Sequence, residues 1–173
     1  MPLDSTVQEL LSKYYGNLPG PDGNTYGLAE GVSAVIGWVV TVGAIAVCRA
    51  TSGWIYVGFS PSLQKELLDR RNNVNHLPWL AQELKREFGT RKVWICTDVE
   101  QQIARNYRNP GCAEKKVISA LRRFGDRMET FSITQHPLGS DAGLLSSYQA
   151  VGDIHGMYIV PCETCLQVAK TYT

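Results

Sequence analysis

Three cysteines stand at the starts of two predicted helices, and a fold that uses them together must bring those helix starts to one place. Gly111-Cys112-Ala113-Glu114-Lys115 follows the break Asn109-Pro110, and Pro161-Cys162-Glu163-Thr164-Cys165 begins fifty residues later. A helix N-terminus offers unpaired N–H groups and a partial positive charge, both of which favour a thiolate. Cys162 and Cys165 are three apart, so on one helical turn they share a side. With Cys112 from a neighbouring helix they form a donor set suited to Zn²⁺. Structural zinc closes with four protein ligands, whereas catalytic zinc keeps three and leaves one position open. A fourth ligand from Cys96, His136 or His155 would make the site structural. A strand followed by Pro-Cys-x-x-Cys and a helix also fits a redox motif, but the eight residues after Cys165 are too few for the strands that complete such a fold.

Charge adds a second constraint. The formal net charge is +1, which gives no global attraction to nucleic acid or acidic lipid. The stretch from Lys85 to Arg127 nevertheless carries eleven basic and five acidic residues, an excess of +6 around the first cysteine motif. It reads either as a solvated helix face or as a surface facing phosphates, with Arg105, Arg108, Lys116 and Arg123 as the contacts. Cys48 and Cys96 lie in apolar runs and are expected to be buried, unpaired thiols. An odd cysteine count without a signal-like N-terminus points to a reducing compartment. Residues 31–48 lack charge, but Gly31, Gly37 and Gly43 interrupt the run, so no membrane span is expected.

At 173 residues, 44% of them hydrophobic, the chain predicts one domain over residues 1–173. A capping box at Ser5 or Thr6 with Glu9 opens a helix through about Tyr15, followed by a Pro/Gly/Asn-rich loop to Gly27. A short helix near 28–38 precedes a hairpin of two strands, 42–48 and 54–59, turning at Ala50-Thr51-Ser52-Gly53. Helices are expected at 62–72, 77–88, 99–107 and from Cys112 to Phe124, closed by Gly125, with strands at 92–97, 129–134 and 156–160. Strands interleaved with helices give an α/β class.

The pattern Cys112-Ala113-Glu114 with the later Pro161-Cys162-x-x-Cys165 resembles the zinc nucleobase deaminase signature of the cytidine deaminase superfamily. Val42-Gly43-Ala44-Ile45-Ala46-Val47 and Ile55-Tyr56-Val57-Gly58 are similar to that family's first two strands. The resemblance implies a three-layer α/β/α fold around a central mixed sheet, with Zn²⁺ held by Cys112, Cys162 and Cys165. It also implies Glu114 as the general acid/base of a hydrolytic deamination, as opposed to a first-turn carboxylate that only complements the helix dipole. Three thiolates over-neutralise Zn²⁺. Lys115, at the place of an Arg in free-nucleoside enzymes, is the residue that by resemblance offsets them, or else an ordinary surface lysine. Tyr107, Asn106, Asn109 and Ala113 are the candidate substrate contacts, with Phe59 and Trp54 as further aromatic side chains near the motifs.

The chain departs from free cytidine deaminases in three ways. Phe59-Ser60-Pro61-Ser62 stands where those enzymes carry a ribose-gripping Asn-x-Glu, residues 61–110 read as an insertion, and the second motif lies near the end. Residues 92–97 or 129–134 would then fill the sheet. In these respects the chain is closer in character to deaminase domains of bacterial polymorphic toxins. That likeness implies conversion of cytosine to uracil in single- or double-stranded nucleic acid, in a target cell's cytoplasm, by a domain delivered within a larger secreted polypeptide and paired with an immunity protein. The alternatives are a free cytidine or deoxycytidine deaminase and a non-enzymatic, zinc-stabilised interaction domain.

Overall fold

A computed structural model describes residues 23–69, 71–106, 111–137, 149–150 and 159–160. The expected N-terminal helix, Tyr107, Arg108, Asn109, His155, Cys162 and Cys165 lie outside them.

The hairpin organises the rest. β1 (Gly43–Ala50) pairs antiparallel with β2 (Ile55–Phe59), Val47 opposite Val57. β4 (Met128–His136) lies antiparallel on the other side of β1, and β3 (Val93–Cys96) runs parallel to β2. The result is an α/β architecture on a four-stranded mixed sheet ordered β3-β2-β1-β4. Both segments named from the sequence as extra strands, 92–97 and 129–134, take their places in it. A parallel β2–β3 pair needs a long crossover, and residues 60–92 supply it with α2 (Pro61–Leu67) and α3 (Leu77–Phe88). α4 (Gln101–Asn106) and α5 (Ala113–Phe124) follow β3. Gln149–Ala150 (β5) and Ile159–Val160 (β6) form a separate antiparallel pair.

Side chains alternate across a strand, and here the two faces differ in size. Ile45, Val47, Ile55, Val57 and Phe59 form one cluster with Val32 and Ile36, with Leu63 and Leu67 of α2, and with Leu80 and Leu84 of α3. Phe59, a candidate stacking residue on sequence grounds, is fully buried in this core. A side chain of that size, once buried, contributes about 1.5–3 kcal/mol through apolar surface removed from water. The alternate positions Ala44, Ala46, Cys48 and Gly58 are small and face α5. Cys48 and Cys96 are buried free thiols, as expected.

The helix expected at 28–38 spans Gly23–Val35 and so begins inside the segment read as a loop. Thr25, Ala29, Val32 and Ile36 fall on one buried side, and Thr25 Oγ1 is hydrogen-bonded to Thr130 Oγ1 of β4. Docking on the sheet outweighs the roughly 1 kcal/mol that each of Gly23 and Gly27 costs in a helix. We call this helix α1. The uncharged run 31–48 is thus the end of α1, a turn and most of β1, and no helix among the described residues is long and apolar enough to cross a membrane.

His136 locks α1 to β4. Its Nε2 lies 2.6 Å from the Val39 carbonyl and its Nδ1 2.6 Å from Ser33 Oγ. A carbonyl only accepts, so Nε2 carries the proton and Nδ1 accepts from the serine. With both ring nitrogens engaged on the α1 side of the sheet, His136 is not available as a metal ligand near Cys112. Burial lowers its pKa, against a smaller opposing effect of the Val39 bond. The unfolded chain therefore binds a proton at about pH 6.5 that the folded chain still refuses. Stability should be full above that pH and decline as the pH falls below it. His136→Leu should lower stability at pH 8 and flatten this acid limb, as measured by urea unfolding at several pH values. An unchanged slope in His136→Leu would place the titration elsewhere.

Candidate metal and proton-transfer site

The site is built where β2 and β3 end and α5 begins. A Cβ on Gly58 would lie 2.5 Å from the Ala113 carbonyl oxygen and 3.1 Å from Val117 Cγ2. Only a glycine on this strand lets the first turn of α5 sit against the sheet backbone. Gly111 plays the same part on the approach, since a Cβ there would meet Pro61 Cγ at 2.8 Å. Pro61 is the first residue of α2, where its missing N–H costs nothing. Two glycines and a proline thus fix how the chain enters α5.

Cys112 is the N-cap of that helix, with extended backbone angles (φ −56°, ψ 145°) and only 4% of its surface exposed. Its carbonyl accepts the bond from the Lys116 N–H at 3.2 Å. At the far end, Gly125 takes the left-handed conformation (φ 66°) and stops the helix, as the sequence indicates. From Ala113 to Leu121 every residue of α5 is buried. Glu114 is wholly buried in the first turn, in reach of the helix's positive end.

Both lysines after Glu114 are buried as well, which corrects the reading of this stretch as a basic surface. Lys115 has no exposed area, so the ordinary surface lysine is excluded. Lys116, expected among the phosphate contacts, is 4% exposed and its Nζ donates to the Phe59 carbonyl at 2.7 Å. Burial pulls the Lys116 pKa down to about 8, and negative charge at Cys112 first, then at Asp98 and Glu114, resists that fall. The ammonium therefore stays largely protonated at neutral pH, beside the Cys112 sulfur and the Glu114 carboxylate. The sequence reading named Lys116 but placed it on the surface, and missed that it lies buried beside Cys112. Its signal was the spacing i, i+4 from Cys112, which puts the two on one side of the helix.

A buried thiol at a helix N-terminus beside an ammonium suits the thiolate that a zinc ligand must be. Cys112 fits that use, and Cys162 and Cys165 lie outside the described residues. Among the described residues no three His, Cys, Asp or Glu side chains gather as a metal site. Cys96 ends β3 next to Gly58, and burial pushes its thiol pKa far up. Asn106 is exposed at the end of α4, and Ala113 is buried with its carbonyl against Gly58. Arg105 and Arg123 remain exposed, while Arg122 is paired with Glu100 at 2.7 Å. A cleft of about 620 Å³ runs along α5 past Cys96, Asp98, Ser119 and Arg123. Trp54 stands apart from Cys112, in a separate cavity at the other end of α5.

Compared with models of known protein families, with curated proteins and with solved structures, the chain matches none.

The close approach at Gly58 makes a sharp test of this geometry. Gly58→Ala should destabilise the fold by about 1–3 kcal/mol, the range for overpacking a tight contact, and should weaken metal uptake because the first turn of α5 is displaced. Gly58→Ala protein with unchanged unfolding midpoint and metal content would show that α5 does not depend on the contact.

Proposed function

We propose that the chain is a zinc-dependent deaminase with a cytidine deaminase-like fold, acting on cytosine in nucleic acid in the manner of a toxin domain. One observation carries the reading: a buried cysteine caps α5, and a wholly buried glutamate follows two residues later, where β2 and β3 end. The hairpin, the mixed sheet and the helix laid across its small-residue face support the reading, since they agree with the α/β frame that the resemblance implies. Cys112 would hold the metal together with Cys162 and Cys165, and the metal would supply Lewis-acid activation of water.

The chain's own groups account for the proton traffic. Hydrolytic deamination adds water to the cytosine C4, protonates the ring N3 and releases ammonia. Glu114 takes one proton from the attacking water and returns it to N3. It then passes the second to the departing amine, so a single carboxylate serves as base and acid. The Lys116 ammonium, held by the Phe59 carbonyl, offsets thiolate charge at Cys112, and Lys115 is the second candidate for that role. The exposed Arg105 and Arg123 favour a phosphate-bearing substrate over a free nucleoside. Tyr107, Asn106 and Asn109 remain the proposed contacts to the sugar and base.

Glu114→Gln keeps the shape and removes the titrating group. It should retain metal and stability yet lose deamination of a cytosine-containing oligonucleotide by roughly 10²–10⁴ or more. Nucleoside, single strand and duplex should be assayed together at two salt concentrations. Oligonucleotide turnover that falls steeply with salt supports the reading. Faster turnover of free cytidine would favour a nucleoside enzyme, and no turnover of any substrate by metal-loaded protein would leave an interaction domain.

A further inference from the structure

A second cavity of about 350 Å³ lies at the opposite end of α5, where the hairpin turn meets the amino ends of β2 and β3. Four aromatic side chains line it, Trp54, Tyr56, Trp94 and Phe124, with Ser52 and Asp126 beside them. From Glu114 to Phe124 the helix rises on the order of 15 Å, so this cavity cannot hold the reacting base. Tyr56 and Trp94 are paired in register across β2 and β3. Trp94 is 39% exposed and Phe124 47%, large apolar surfaces left open to solvent.

The rings do not surround a point. Trp94 and Phe124 meet edge to face, with centroids 5.0 Å apart and planes at 77°, and Tyr56 lies 6.4 Å from Phe124 at 31°. Rings already packed against one another leave no gap between them, so only their outer faces, along a shallow slot, are open to a flat group, whereas a cage for an alkylammonium turns several faces onto one centre. The charges around the rim oppose a cationic ligand too. The Arg123 guanidinium sits 5.4 Å from the Phe124 centroid, Arg127 and Lys92 are exposed, and the Lys92 ammonium lies 3.8 Å from where a side chain on Gly53 would begin.

Within the slot the polar group is an acceptor. Asp126 Oδ2 receives hydrogen bonds from the Tyr56 hydroxyl at 2.9 Å and from Ser52 Oγ, and Oδ1 receives the Arg127 N–H at 2.9 Å. The Ser52 N–H is bonded to the same carboxylate, so its roughly four acceptor positions are taken, and Asp126 ties Tyr56 to the hairpin turn. Burial opposes the carboxylate's charge, but the bonds from Ser52, Arg127 and Tyr56 outweigh it and hold the group ionised.

We infer that this slot binds an unstacked purine nucleotide, the base stacked on the open faces of Trp94 and Phe124 and the phosphate toward Arg123, Arg127 and Lys92. Base stacking on aromatic side chains combined with a cationic rim is the physics of single-strand binding. The proposal does not need the deaminase reading, because the base is held by none of the residues at the other end of α5 and only Arg123 is shared with the phosphate contacts proposed above.

Tryptophan fluorescence reads the slot directly, since Trp54 and Trp94 are part of it. Guanosine 5′-monophosphate should quench the emission saturably, and guanosine without phosphate should bind several-fold more weakly. Trp94→Leu, on a half-open surface, should weaken binding about ten-fold by removing one stacking face, and Arg123→Glu should weaken the nucleotide but not the nucleoside. Glu114→Gln should bind like the parent, so a protein that binds the nucleotide yet deaminates nothing loses only the deaminase reading. The absence of saturable quenching at millimolar nucleotide in folded protein would overturn the proposal. Tetramethylammonium quenching better than the nucleotide would also overturn it and assign the slot to alkyl cations.

Discussion

The contact on which the site depends is the one between Gly58 and the Ala113 carbonyl. A helix normally rests on a sheet through a layer of side chains, but here the strand backbone at Gly58 admits the helix backbone itself. The face of β1 toward α5, with Ala44, Ala46 and Cys48, leaves room for the same approach. The opposite face carries Ile45, Val47 and Phe59 and supplies the apolar burial. One sheet therefore divides its labour: the large side chains hold α1, α2 and α3, and the small ones let α5 come close. The N-terminus of α5, with Cys112 and Glu114, is positioned by backbone contact on the sheet and by Pro61 against Gly111.

This placement explains why charges are tolerated in the interior. Glu114, Lys115 and Lys116 occupy three consecutive positions of one buried turn. An isolated buried charge is costly, so such a cluster persists only where the charges serve one another and the helix dipole. Lys116 shows the balance: burial drives its pKa down, and the Cys112 sulfur with the Asp98 and Glu114 carboxylates keeps it from falling further. Removing the sulfur at Cys112 would remove one of those supports.

Much of the frame was legible in the chain. The hairpin rested on two β-rich runs around Ser52-Gly53, and α5 on a break before Cys112 and a glycine after Phe124. Both signals are local, and both segments fold as they indicate. The start of α1 was not legible, because Gly23 and Gly27 argue for a loop and only the docking of Thr25 on β4 makes the helix worth forming. Lys116 was misplaced for a related reason: a run of basic residues reads as a surface until the helix is known to be buried from Ala113 to Leu121. Cys112 and Glu114 lie together where the sequence pattern calls for a site, yet the other cysteines of that pattern fall outside the described residues. The aromatic slot carried no signal at all, since Trp54, Trp94 and the pair Phe124 and Asp126 come from three separate segments that only the sheet brings together.

The claim that Cys112 belongs to a three-cysteine metal centre is open to one direct measurement. Zinc X-ray absorption on the purified protein counts sulfur neighbours at the usual zinc–sulfur distance of about 2.3 Å. Three sulfurs and one lighter atom are expected in the parent, falling to two sulfurs in Cys112→Ser. A protein without zinc, or a sulfur count that Cys112→Ser leaves unchanged, would contradict it.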